Sequence, residues 1–247
     1  MPLFDTDAIV LRHYELGEAD KIIVLFSKQR GKIRVVAKGV RKTKSTLAAG
    51  LEPFTYNHVL VYQGNSDLGN LSQCDIENSF ADLRNDFVKM SYASYAAELV
   101  NELTIDKDVN KSLFNLLLIT YRLLSNSDKN NLVIRTFELK LLNLLGYRPY
   151  LNSCVKCGTE LNSNFRFNAT EGGVVCAECA ESWNDKISLG TIKFMNRLLD
   201  LDYKGIMKLN LPAYAREELG AIVPNYIESI IDKKLKAVSF LEMIDID

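Results

Sequence analysis

Up to about residue 78, apolar and polar positions alternate in short runs. Ala8–Tyr14, Lys21–Ser27, Lys32–Lys38, Phe54–Gln63 and Leu68–Ile76 are rich in Val, Ile, Phe and Tyr, and turn signals at Gly17, Gly31, Pro53 and Gly64-Asn65 separate them. Branched and aromatic side chains suit a pleated, half-buried surface, and Gly and Pro interrupt it, so the pattern predicts five strands. Five short strands in under 80 residues predict a small closed barrel. At this length such a barrel is most often an OB-fold, whose exposed face and loops bind single strands or oligosaccharides.

From about Phe80 the period becomes helical. Leu113, Leu117 and Leu124, with Leu116 and Tyr121 beside them, share a face over Asn110–Leu124, and Val133, Phe137, Leu141 and Leu144 repeat the spacing. These leucines are read as core. Gly146 fits a helix C-terminus and Pro149 a stop. Thr191–Leu201, Ala213–Asp232 and Leu235–Ile244 are again amphipathic, with Pro212 placed to start a helix and Pro224 to break or kink one. Between them lies a cysteine-bearing stretch. The expected class is therefore α+β: an N-terminal five-stranded OB-fold barrel (1–78), an all-helical domain in two parts (79–149 and 186–247), and a four-cysteine zinc insert (150–185).

Composition is ordinary for a soluble globular protein, and the net charge of −1 gives the molecule no strong overall field. The opening MPLFDTD lacks the features of a signal peptide, and Leu113–Tyr121 is too short to span a bilayer, so a cytoplasmic location is expected and no membrane partner. In a reducing compartment, paired cysteines favour metal over disulfides. Cys154 and Cys157, then Cys176 and Cys179, form two CxxC pairs about eighteen residues apart, the spacing of a closed tetrathiolate site. Four thiolates fill a tetrahedral shell and leave no position for water, so the expected cofactor is one structural Zn2+. Cys74 is read as a small apolar residue.

Charge is segregated locally. Asp5, Asp7, Glu15, Glu18 and Asp20 come first, followed from Lys21 to Leu51 by Lys21, Lys28, Arg30, Lys32, Arg34, Lys38, Arg41, Lys42 and Lys44 without an acid. Alternation places Lys32, Arg34, Val36 and Lys38 on one strand face and Ile33, Val35 and Ala37 on the other, so one face enters the core and one presents three cations. Lys38–Ser45 then leaves as a polar loop with three more. This run predicts phosphate binding, with Lys28, Arg30, Lys32, Arg34, Lys38, Arg41, Lys42 and Lys44 as the binding set. Tyr14, Phe26, Phe54, Tyr56 and Tyr62 are candidates for stacking on bases. No catalytic constellation is legible. The two histidines, His13 and His58, lie in strands, and there is no P-loop, GxGxxG, GxSxG or His-x-Glu paired with the cysteines. The protein is expected not to be an enzyme.

Asp7-Ala-Ile-Val-Leu-Arg-His-Tyr through Gly17-Glu-Ala-Asp-Lys21, then Gly31-Lys-Ile-Arg-Val-Val-Ala-Lys-Gly-Val-Arg-Lys42, closely resembles the bacterial recombination mediator family RecO. The order of parts that follows resembles it too. The resemblance implies a non-catalytic, nucleoid-associated DNA repair protein that binds single- and double-stranded DNA and anneals complementary strands. It also implies partnership with RecR, docking of the single-strand-binding protein's C-terminal tail on the helical domain, and indirect loading of RecA. The family's DNA-binding surface corresponds here to Lys32, Arg34, Lys38, Arg41 and Lys42. The rival reading is a zinc-ribbon plus OB-fold regulator that binds RNA or DNA without mediator activity.

Overall fold

The computed structural model describes residues 3–64, 66–161, 164–237 and Leu241. The chain forms two compact units, Met1–Ser127, to which Leu241 also belongs, and Asp128–Ser239.

In the first unit, β1 (Leu3–Leu16), β2 (Asp20–Ser27), β3 (Gly31–Ala37), β4 (Tyr56–Tyr62) and β5 (Leu68–Asn78) close a barrel in the order β1-β2-β3-β5-β4. β1 is long enough to pair with β4 over Leu3–Ile9 and with β2 over Ala8–Leu16, and a bulge between Val10 and Arg12 accompanies the change of neighbour. A parallel pairing, Arg34–Val36 against Leu68–Asn70, completes the ring. Its interior is the alternate set Ala8, Val10, Ile23, Leu25, Ile33, Val35, Ala37, Val59, Val61 and Leu71. Each buried branched side chain contributes roughly 1.5–3 kcal/mol relative to exposure, which fixes the register, since a slip of one residue would turn the whole set outward. All five expected strands form.

Three helices belong to the same unit: α1 (Ala81–Asn85), α2 (Phe87–Leu103) and α3 (Lys111–Asn126). Asp86 caps α2 and Asn110 caps α3, each side chain accepting a backbone N–H three residues on. Phe114 of α3 lies against Phe26 and Tyr56, and Tyr121 against Phe54 and Phe80, with ring centroids 5.6–6.3 Å apart. The α2–α3 connection passes so close to β3 that a Cβ at Gly31, where φ is +66°, would stand 2.1 Å from the Asp108 carbonyl oxygen. Only glycine fits there.

The second unit contains α4 (Asn130–Leu144), a three-stranded sheet of β6 (Phe165–Asn168), β7 (Gly173–Val175) and β8 (Asp185–Ile187) in the order β7-β6-β8, then α5 (Leu189–Asp200), α6 (Tyr203–Ile206) and α7 (Ala213–Ile231). Gly146 follows α4 at φ +86°, the left-handed conformation of a helix end. Pro224 does not end its helix: α7 runs through it. Ile222, Val223, Tyr226 and Ile227 are buried around that turn, and their packing outweighs the missing backbone hydrogen bond. Of the expected helix over Leu235–Ile244, Leu235–Ala237 are not helical, and residues 238–240 and 242–244 lie outside the described residues. No helix among the described residues is long and apolar enough to cross a membrane.

Candidate nucleic-acid interface and cysteine cluster

The outward face of β1-β2-β3 is organised in rows across the sheet. Lys32 stands opposite Phe26, and Phe26 opposite Ile9; Arg34 stands opposite Val24, and Val24 opposite Arg12; Val36 stands opposite Ile22, and Ile22 opposite Tyr14. The alternation expected for β3 holds on its inner side, where Ile33, Val35 and Ala37 are core. On the outer side it does not mean solvent. The row of Lys32 is covered: Phe26 is fully buried against Phe114, and Lys32 itself is 7% exposed. Its ammonium donates to the carbonyl oxygens of Asn101 and Thr104, both at 2.6 Å, and lies 3.4 Å from Asp106. Lys32 thus caps the C-terminus of α2, where the unpaired carbonyls and the negative end of the helix dipole favour a cation. The expectation that it faces solvent beside Arg34 is corrected on that ground.

The remaining cations separate into two ends and a middle. Arg34, in the middle, is 55% exposed with its guanidinium 3.2 Å from Asp106. Lys28 and Arg30 occupy the β2–β3 turn, where Lys28 pairs with Asp7 at 3.6 Å and the Arg30 guanidinium lies 4.7 Å from the centre of the Phe4 ring. Lys38, Arg41, Lys42 and Lys44 leave the opposite end of β3. At about 3.3 Å of rise per residue, Arg30 and Lys38 are separated by roughly 25 Å along the strand, so one short tract of sequence supplies two clusters. The second is fastened to the β1–β2 turn: Gly39 N–H donates to Asp20 Oδ1 at 2.7 Å, Arg41 N–H to the Ala19 carbonyl at 3.0 Å, and the Arg41 guanidinium reaches Glu15 at 3.2 Å. Gly39 and Lys42, then Lys42 and Ser45, close successive turns that leave Lys38, Lys42 and Lys44 exposed. Among the described residues these three lysines form no ion pair.

Of the aromatic candidates, Phe26 and Phe54 are buried and Tyr56 packs on Phe114, so helix α3 takes up all three. Tyr62 is half-buried. Tyr14 alone among the five lies open, 45% exposed. Arg12, absent from the expected set, lies 5.0 Å from its ring centre and 4.0 Å from Glu102. Its signal was in the sequence: Arg12 and Tyr14 are two apart on a strand and must share a face. His58 lies between Asp7 (3.1 Å) and Asp5 (3.4 Å), and His13 is half-buried with Nε2 3.3 Å from the Lys21 ammonium.

In the second unit, Cys154, Cys157, Cys176 and Cys179 bring their sulfurs within 4.8 Å of one another, with Cys157 and Cys176 at 3.7 Å. A metal–sulfur bond of about 2.3 Å in a tetrahedron requires sulfurs about 3.8 Å apart, so the cluster fits a tetrathiolate ion. One knuckle is a turn in which Gly158 N–H donates to the Cys154 carbonyl, with Gly158 at φ +76°; the other closes from Cys179 N–H to Cys176. Val155 N–H donates to the Val174 carbonyl, which holds the first knuckle beside β7 and so beside the second. Burial raises the Cys154 thiol, but backbone N–H groups of Cys176, Cys157 and Lys156 aimed at its sulfur outweigh it, and Thr159 hydrogen-bonds the Cys157 sulfur at 3.2 Å; both thiols are held below their ordinary range, whereas contact with the Cys157 and Cys176 sulfurs pushes Cys179 up to about 12. Donors directed at sulfur stabilise thiolate, the form a metal binds.

A family model described as recombination protein O N terminal matches residues 1–80, and one described as recombination protein O C terminal matches residues 84–238. The chain belongs to the RecO family. Proteins called DNA repair protein RecO are similar to it over nearly their whole length. The relative from Alkaliphilus metalliredigens is 38% identical over 94% of this chain and 95% of its own; that from Symbiobacterium thermophilum is 36% identical over 99% and 98%. The boundary between the two RecO models falls at the change from strand to helix, whereas the compact units divide at Ser127. The first boundary follows secondary structure and the second follows packing, because α1–α3 cluster with the barrel.

Proposed function

We propose that this RecO-family chain is a non-catalytic DNA repair and recombination mediator. It binds single- and double-stranded DNA through residues 1–78, anneals complementary strands, and acts with RecR to load RecA onto DNA coated by single-strand-binding protein, whose C-terminal tail docks on the helices. The observation that carries this reading is the loop from Lys38 to Lys44, fastened at its base yet presenting Lys38, Lys42 and Lys44 to solvent without carboxylate partners among the described residues. Arg34, Arg41, Lys28 and Arg30 extend the surface, each already engaged by an acid or a ring. Lys32 is left out.

Two DNA strands repel through their phosphates, and cations that neutralise both while leaving base edges free lower the barrier to pairing. No bond is made or broken by the protein. Cys154, Cys157, Cys176 and Cys179 would hold one structural Zn2+, which would cross-link the two knuckles of residues 150–185 and, with four thiolates around it, would leave no open position for water. Work on DNA in this way places the protein at the nucleoid.

The test is annealing of complementary strands pre-coated with single-strand-binding protein, at several salt concentrations. Acceleration that fades as salt rises is expected. DNA binding without acceleration would reduce the reading to a nucleic-acid-binding module, and the same titration with RNA of equal length would show which nucleic acid it prefers.

A further inference from the structure

We propose that Asp106 occupies a backbone-phosphate subsite between Lys32 and Arg34, and that nucleic acid enters this subsite by displacing it. The inference rests on the nucleic-acid-binding reading above.

The loop joining α2 to α3 crosses the start of β3 as if adding a residue to the sheet. Lys107 N–H donates to the Lys32 carbonyl at 2.9 Å, Lys32 and Asp106 form a parallel bridge, and Lys107 is clipped to Asp67. This places the Asp106 carboxylate with one oxygen 3.4 Å from the Lys32 ammonium and the other 3.2 Å from the Arg34 guanidinium. Two oxygens sharing one negative charge between two cations is also what the two unesterified oxygens of a phosphodiester would present. Lys32 does not depend on Asp106 for its own hydrogen bonding, because Asn101 and Thr104 already accept from it; the remaining donor of its three is the one available to an anion.

The seat can be vacated. Asp106 is 44% exposed and Arg34 55% exposed, so their attraction is screened. The backbone of the loop stays on β3, held by the Lys107 N–H on the Lys32 carbonyl and packed against Gly31; only the half-exposed Asp106 side chain turns outward to release its place. A phosphate replaces a carboxylate charge for charge, and the DNA releases a counterion as it does so. Arg34 is therefore a guarded cation, whereas Lys38, Lys42 and Lys44 are open ones. Encounter through the loop lysines followed by exchange at Arg34 is the order of events this arrangement favours.

The experiment compares Asp106→Asn with Asp108→Asn, two carboxylates of the same loop, in the wild-type and Arg34→Ala backgrounds, by anisotropy of a labelled single-stranded oligonucleotide at fixed ionic strength. Asp108 is exposed and pairs with no cation among the described residues, so it controls for net charge. Asp106→Asn is expected to tighten binding about two- to fivefold, Asp108→Asn to change it by less than half of that on a logarithmic scale, and the Asp106→Asn gain to vanish without Arg34. Asp106→Ser provides a second vacated seat, and thermal melting verifies that each variant is folded. Equal effects at Asp106 and Asp108, or a gain that survives Arg34→Ala, would overturn the subsite while leaving DNA binding intact. A wild-type protein with no affinity for the oligonucleotide would overturn the underlying reading, and the subsite with it.

Discussion

Replacing Lys32 by Met separates a structural cation from a binding one. Met retains the apolar stem that packs beside Phe26 but removes the ammonium from the Asn101 and Thr104 carbonyls and from Asp106. A hydrogen bond to a charged group contributes about 1.5–3 kcal/mol net, so two give roughly 3–6 kcal/mol as an upper bound. Part of this is recovered, because a buried ammonium no longer has to be desolvated and the half-exposed Thr104 end can admit water. The expected loss is about 2–4 kcal/mol. For a unit of this size that corresponds to a fall in melting temperature of roughly 8–15 °C. Arg34→Met is the comparator: its guanidinium is exposed, and its loss should change stability by under about 1 kcal/mol while weakening DNA binding. Both variants are followed by circular-dichroism melting and by DNA anisotropy at a temperature where each is folded. A Lys32→Met protein that melts with the wild type would refute the reasoning, since the ammonium would then not hold the end of α2.

Simultaneous Lys38→Ala, Lys42→Ala and Lys44→Ala should leave melting unchanged and flatten the log–log dependence of duplex affinity on salt by about 0.9 for each phosphate no longer neutralised; an unaltered slope would place DNA binding elsewhere. Cys157→Ser, or treatment with a chelator, should release one metal per chain, measured by elemental analysis, and loosen the second unit without weakening DNA binding by the barrel; a variant that stays metal-loaded with normal melting would contradict the cluster's role. His58 should make stability depend weakly on pH. Its pKa is raised above the ordinary 6.5, first by the hydrogen bond to Asp7 and further by the charges of Asp7, Asp5 and Asp75. A raised folded value stabilises the protonated form, so the contribution is present below the unfolded pKa and is lost as pH rises through the folded one. The urea midpoint should therefore fall modestly between about pH 6 and 8, and His58→Asn should remove that dependence; an identical profile in the variant would assign it to another group.

How much was legible varied with the range of the interaction responsible. The strands were readable because burial in a small barrel imposes a period of two, and Ile33, Val35 and Ala37 had no other place than the core. The caps of α3 and α5, Asn110 and Ser188, arise from contacts equally short in range, each side chain accepting a backbone N–H three positions on. The fate of Pro224 was not readable, since it depends on what packs around its turn. Nor was the separation of the basic run into two ends: charge counting sums residues near in sequence, while a strand carries them apart at over 3 Å per residue.

By itself, then, the sequence determined the barrel's alternating interior, the helical periods, the two cysteine pairs and the presence of a basic tract, because each is a local pattern or a choice of chemistry at one position. Which cations remain available was decided only by the tertiary structure. Alternation says that Lys32 and Arg34 share a face, but α2 and α3 cover one row of that face and leave the next open, so one lysine caps a helix while its neighbour two residues on stays exposed. The carboxylate that ties the two together, Asp106, lies more than seventy positions away in the chain. A charge is free or engaged according to what stands within a few ångströms of it, and chain-distant neighbours are brought there only when the fold closes.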